Sequence, residues 1–141
     1  MAQIDSAIGG KTGVDLPEGK NLIGAFYSPA AVYCDPAHLM TLPDREYASG
    51  MAEAIKYGAI LDESFLRWQE QQFDALQRRD LNALRELVER CCITKARVVE
   101  QDPLEKTGER AKLNFGHTVA MRWSRRWNTK GCCTVRPWLS V

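Results

Sequence analysis

The chain has 141 residues, 45% hydrophobic and 26% charged, with a net charge of +1. These proportions fit a globular protein and give no charge excess for a polyanionic partner. No apolar run approaches the roughly 20 residues that cross a bilayer, and the N-terminus lacks a signal-peptide core. A cytoplasmic protein without membrane or nucleic-acid partners is therefore expected. Five cysteines, an odd number without disulfide-like spacing, predict reduced thiols.

Residues 1–28 carry Gly9, Gly10, Gly13, Gly19 and Gly24, interleaved with Lys11 and Lys20. Glycine lets a backbone approach a ligand closely, and lysines in such a loop suit phosphate or carboxylate. A surface loop with solvated lysines fits the same spacing equally well. The P-loop register is absent. Ala30-Ala31-Val32-Tyr33-Cys34, closed by Asp35-Pro36, predicts a short strand buried on both faces.

Helical signals follow. Thr41-Leu42-Pro43 with the acids Asp44 and Glu46 predicts a helix over 44–60, capped near Thr41 or Leu42 with Pro43 in its first turn. Asp62 predicts the cap of a second helix, with an apolar stripe of Phe65, Leu66, Trp68, Phe73 and Leu76. Asp80 predicts the cap of a third, with Leu81, Leu84, Leu87, Val88, Cys91, Cys92 and Lys95 at helical spacing. It should end before Asp102-Pro103. Cys91 and Cys92 are adjacent, which suits neither a disulfide nor a shared metal; buried thiols are expected. Glu105 to Arg110 reads as a charged turn around Gly108.

Within the first helix, Glu53 and Lys56 stand three apart on one face. A buried glutamate is costly unless a cation meets it. The spacing leaves two readings open, an ion pair with Lys56 or a metal. His117, after Gly116, is the distant residue that bears on the choice.

Longer motifs then accumulate: Asp5-Ser6-Ala7-Ile8-Gly9-Gly10-Lys11-Thr12-Gly13, Leu16-Pro17-Glu18-Gly19-Lys20-Asn21, Gly24-Ala25-Phe26-Tyr27, Thr41-Leu42-Pro43, Glu53-Ala54-Ile55-Lys56-Tyr57-Gly58 and Asn114-Phe115-Gly116-His117-Thr118. In this order and spacing the chain resembles 3-dehydroquinate synthase over residues 3–120. The resemblance implies an α/β NAD-binding domain followed by a helical domain, with the active site between them. On that basis the chain is mainly α. Residues 1–42 would be a remnant of the NAD domain, its last loop and strand, and 43–120 a truncated helical metal and substrate domain.

The family converts 3-deoxy-D-arabino-heptulosonate 7-phosphate to 3-dehydroquinate and phosphate, using NAD and zinc or cobalt, and its intact enzymes are expected to be homodimers. Carried over by position, Glu53 and His117 resemble metal ligands. Lys11, Asn21, Lys56, Lys95, Arg110 and Asn114 resemble the substrate-binding set, and Glu105 an acid that holds the lysine and arginine. Asp5, Lys11, Lys20 and Thr41 match positions beside the NAD.

The resemblance breaks at Met121. From there to Val141 the chain has five basic residues, no acid and three of its four tryptophans, so residues 1–120 carry −4 against +5 for the tail. The family continues with a second histidine at position 121 and later a His-Gly-Glu-Ala-Val run whose histidine is the third zinc ligand, after those matching Glu53 and His117. Read one base earlier from Met121, the codons can spell His-Ala-Leu-Glu. In the same shifted frame those from Cys133 to Leu139 can spell His-Gly-Glu-Ala-Val-Ala, with the missing ligand at position 134. One shift restores two motifs, so residues 121–141 are read as an out-of-frame tail and the chain alone is expected to be inert. Two other readings stand beside this one. The chain could be a fragment of a related sugar-phosphate cyclase, or the Arg- and Trp-rich tail with Cys132-Cys133 could bind nucleic acid or act as an adaptor.

Overall fold

The structure, a computed structural model, describes residues 2–116, except for the side chains at 15 and 19–21. A π-helical turn, Ala2–Ser6, leads into an antiparallel hairpin of β1 (Lys11–Leu16) and β2 (Gly19–Phe26). Lys11 faces Phe26, Gly13 faces Gly24 and Leu16 faces Gly19, with an irregularity between Val14 and Leu16. The sequence suggested a loop here. Lys-Thr-Gly-Val and Leu-Ile-Gly-Ala each place a glycine where a strand usually carries a bulky residue, which hides the alternation. The Gly13–Gly24 pair makes those glycines part of the strands.

Residues 30–34, expected as a buried strand, are not one. They run as irregular chain, with Tyr33 93% exposed. A strand buried on both faces needs neighbours for its backbone groups, and the only sheet among the described residues is the hairpin, which pairs with itself.

A 3-10 turn, Pro36–Thr41, precedes four helices: α1 (Asp44–Leu61), α2 (Glu63–Gln71), α3 (Phe73–Gln77) and α4 (Leu81–Gln101). A second 3-10 turn, Glu109–Asn114, follows. The chain is thus mainly α over the described residues, as expected.

The caps explain the boundaries. Asp62 accepts from the Phe65 amide, and Asp80 from the amides of Asn82 and Ala83, satisfying donors that a helix start leaves without partners. Pro43 stands at the cap of α1 without a side-chain bond. The apolar stripe expected for the second helix is divided. Gln72 separates α2 from α3, so Phe65 and Leu76 are buried while Phe73 is exposed.

The core lies between α1, α2, α4 and the π turn. Ile4, Ala54, Tyr57, Phe65, Leu76, Leu84, Leu87, Val88 and Cys91 fill it. Gly58 brings α1 against α2: a Cβ there would stand 2.9 Å from the Leu66 Cα. Cys91 is fully buried, and Cys92 only partly.

Candidate active site

Two of the expected site residues, Asp5 and Lys95, meet between the π turn and α4. Lys95, buried on α4, places its ammonium 2.7 Å from Asp5 Oδ1 and also donates to the Asp5 carbonyl. Tyr57 of α1 donates to the same Oδ1 at 2.9 Å and to the Ile4 carbonyl at 3.3 Å. Burial would raise the Asp5 carboxyl. The Lys95 charge and hydrogen bond, the Tyr57 hydroxyl and the more distant Lys56 outweigh it and hold Asp5 below the usual carboxylate range. For Lys95, burial dominates and lowers the pKa; Asp5 opposes this, while Arg110 and Lys11 add to it. The same burial, with Asp5 alongside, pushes the Tyr57 phenol well up, so Tyr57 stays a donor.

Glu105 joins a second pair. Its Oε1 meets the Lys11 ammonium at the start of β1 and lies 3.7 Å from Arg110 Nε. Arg110 is 4% exposed. Its guanidinium also donates to the carbonyls of Gly9, at 3.4 Å, and Pro103, at 3.2 Å. Gly9 has φ +108, and a Cβ on it would lie 2.8 Å from Arg110 Nη2. The positive φ there favours glycine, and a Cβ would also displace the Arg110 guanidinium.

The turn bearing Glu105 and Arg110 is built by Asp102. Its carboxylate accepts from the amides of Lys106, Thr107, Gly108 and Arg110. Burial opposes ionisation, and these amides more than offset it, lowering the pKa.

Glu53 and Lys56 form an ion pair along α1, with side chains 5% and 9% exposed. Lys56 also donates to the Leu113 carbonyl at 2.8 Å, which ties α1 to the turn carrying Asn114. Asn114 itself is exposed there. Thr41 is exposed at the end of the first 3-10 turn, its hydroxyl donating to His38 O at 3.3 Å. Arg79, at φ +58, fixes that segment. It donates to the carbonyls of Met40 at 3.0 Å and Leu42 at 2.7 Å and to Asp44 at 2.8 Å, and lies over the Tyr47 ring.

His117 and the side chains of Lys20 and Asn21 lie outside the described residues. Sequence reasoning missed Tyr57, Asp102 and Arg79. Asp102 had a readable signal, an aspartate ahead of Pro103 and six residues before Gly108. Tyr57 lay within a quoted motif without a role.

Among the described residues no three His, Cys, Asp or Glu side chains gather to hold a metal, and the Glu53 carboxylate is engaged by Lys56. These residues alone do not compose a zinc site. Nor do the described residues matched to NAD form a common cradle: Asp5 and Lys11 are in ion pairs, and Thr41 bonds within its own turn.

Comparison with known proteins decides the family. The profile described as 3-dehydroquinate synthase C-terminal matches residues 50–129, and that described as 3-dehydroquinate synthase N-terminal matches residues 1–49. The chain belongs to the 3-dehydroquinate synthase family. It is 55% identical over 118 residues to the 3-dehydroquinate synthase of Halorhodospira halophila (strain DSM 244 / SL1), covering 84% of this chain and 33% of that protein. To that of Pseudomonas fluorescens (strain SBW25) it is 54% identical over 118 residues, covering 84% and 32%. The chain therefore spans about a third of the length of these relatives. Its fold is similar to ValA, the 2-epi-5-epi-valiolone synthase of Streptomyces hygroscopicus subsp. jinggangensis 5008, solved with NAD+ and Zn2+ bound. The TM-score is 0.78 at 24% identity, over 94% of this chain and 37% of that one.

Proposed function

We propose that the chain is a piece of a 3-dehydroquinate synthase whose complete form converts 3-deoxy-D-arabino-heptulosonate 7-phosphate to 3-dehydroquinate and phosphate. The observation that carries this is the gathering of Lys11, Lys56, Lys95 and Arg110 with the carboxylates Asp5, Glu53 and Glu105. Four cationic side chains brought together suit a substrate bearing phosphate and carboxylate. Lysines serve as point charges there and the arginine as a planar fork. Asn21 and Asn114 would hydrogen-bond the same substrate, and Glu105 would orient Lys11 and Arg110.

Asp5, Lys11, Lys20 and Thr41 are assigned to the NAD side, and Glu53 and His117 to zinc or cobalt. The NAD+ and Zn2+ bound to the valiolone synthase support those cofactors. No step is assigned to the metal, because the described residues supply one carboxylate towards it. Beyond His117, the one further ligand is proposed to lie at position 134 in the frame shifted from Met121, which makes 121–141 an out-of-frame tail after domains 1–42 and 43–120 and leaves this chain inert as translated. No described helix is long and apolar enough to cross a membrane; a cytoplasmic homodimeric enzyme of the shikimate pathway is proposed for the complete form.

Sequencing the gene tests the tail: absence of histidine codons at positions 121 and 134 in the shifted frame would end that part. Assaying the frame-corrected, full-length protein against several sugar phosphates tests the reaction. Release of phosphate with 3-dehydroquinate is expected. A different carbocycle would make it a related cyclase. Zinc binding or turnover by the 141-residue chain itself would overturn the proposed inertness.

A further inference from the structure

Two thiols from distant parts of the chain share one acceptor. Cys34, at the end of the irregular segment after β2, donates to the Gln3 carbonyl at 3.5 Å. Cys92 of α4 donates to the same oxygen at 3.4 Å. Two sulfurs held at these distances from one oxygen are neighbours. Both are partly buried, whereas Cys91, next in sequence to Cys92, is sealed in the core. Gln3 closes the arrangement by donating its side-chain amide to the Asp35 carbonyl at 2.7 Å.

We propose that Cys34 and Cys92 form a dithiol modification site that is oxidised to an intramolecular disulfide by low-molecular-weight disulfides such as oxidised glutathione. The pairing asks for movement from only one side. A disulfide needs its sulfurs about 2.05 Å apart with a defined dihedral. Cys92 is fixed by a 21-residue helix, while Cys34 lies on chain without regular structure and can close the gap.

The chemistry balances in two exchanges. Cys34 attacks first, as a thiolate, forming a mixed disulfide and releasing one thiol of the reagent. Cys92 then loses its proton to solvent and attacks the Cys34 sulfur, releasing the second. Two protein thiols lose two electrons, and one reagent disulfide becomes two thiols. The order follows from the surroundings of Cys92. Burial, with Cys34 alongside, raises its pKa to about 11 against the opposing Lys95, so Cys92 gives up its proton reluctantly and suits the second, resolving attack. The crosslink would replace both S–H donors on the Gln3 carbonyl. It would also tie residues 27–35 to the helix that carries Lys95, one turn beyond Cys92.

The test uses the full 141-residue chain carrying Cys132→Ser and Cys133→Ser, exposed to oxidised glutathione, alkylated, digested and weighed. A peptide pair joined at Cys34 and Cys92 is expected, lighter by two hydrogens, with Cys91 alkylated. The Cys92→Ser variant should instead stop at the glutathione adduct of Cys34, with no internal crosslink. Equal yield of the pair in denaturing urea would show chance pairing and overturn the proposal. So would Cys34 joined to Cys91, or both Cys34 and Cys92 remaining alkylatable.

Discussion

Tyr57 donates its hydroxyl to the Asp5 carboxylate at 2.9 Å, joining α1 to the π turn across 52 positions of sequence. Lys95 reaches the same oxygen from α4. Asp5 is thus a carboxylate on which both long helices meet the N-terminal turn, and its ionisation bears on stability as well as on the site. With its folded pKa below the unfolded value, Asp5 contributes stability that is full above about pH 4 and lost as pH falls through the folded pKa. Lys95 has the opposite sign. Its lowered pKa marks a buried ammonium whose cost is relieved as pH rises through that pKa.

Asp5→Asn should therefore lower the urea midpoint of the chain at pH 7, and the gap from the parent should narrow below about pH 4. Tyr57→Phe, which leaves the carboxylate on Lys95, should cost less, about 1 kcal/mol for one hydrogen bond. Parallel midpoint curves for parent and Asp5→Asn down to acid pH would contradict the assignment.

The Glu53–Lys56 pair is nearly closed to solvent. Removing the cation takes away the charge nearest a buried carboxylate, at a cost of about 3–5 kcal/mol, whereas replacing both with apolar residues of similar volume is often neutral. Lys56→Met alone should be strongly destabilising, and Glu53→Leu with Lys56→Met should recover most of the loss in a double-mutant cycle. Additive losses would show that the two act separately.

Arg79 closes three carbonyl contacts and an ion pair on the segment that carries Thr41. Arg79→Lys keeps the charge and loses the fork. It should destabilise by about 2 kcal/mol and speed hydrogen exchange at the Leu42 amide, which bonds to Leu39 O at 3.4 Å. Arg79→Gly, which relieves the positive φ, should speed that exchange just as much, because the side chain does the holding. Unchanged exchange in either variant would remove Arg79 from this role.

The helical half was legible because its signals are local. Asp62 and Asp80 announce their caps, and Glu53 and Lys56 announce a shared face by spacing alone. The hairpin was not, since Gly13 and Gly24 remove the side chains by which a strand is recognised. Residues 30–34 misled in the other direction: apolar β-branched and aromatic residues indicate a buried strand only where a sheet is present to receive them. The charged cluster needed the fold. Nothing in the sequence places Asp5 on Lys95, 90 positions away. The resemblance to a family, carried over by position, named those residues, and the packing of α4 on the π turn accounts for why they meet.

Gly58 offers a test of that packing where two effects oppose. Inside α1, replacing glycine with alanine should gain about 1 kcal/mol of helix propensity. Here the new methyl would stand 2.9 Å from the Leu66 Cα and 3.0 Å from its amide nitrogen. Both are backbone atoms of α2 and cannot turn aside as a side chain can. Forcing two packed helices apart costs about 1–3 kcal/mol, so Gly58→Ala should be destabilising on balance. The contact is with the main chain, so trimming the neighbour in Leu66→Ala should not rescue it. The urea midpoints of the two single variants and the double variant decide the matter: a stabilised Gly58→Ala, or recovery in the double variant, would mean that α1 and α2 are not held together at this backbone contact.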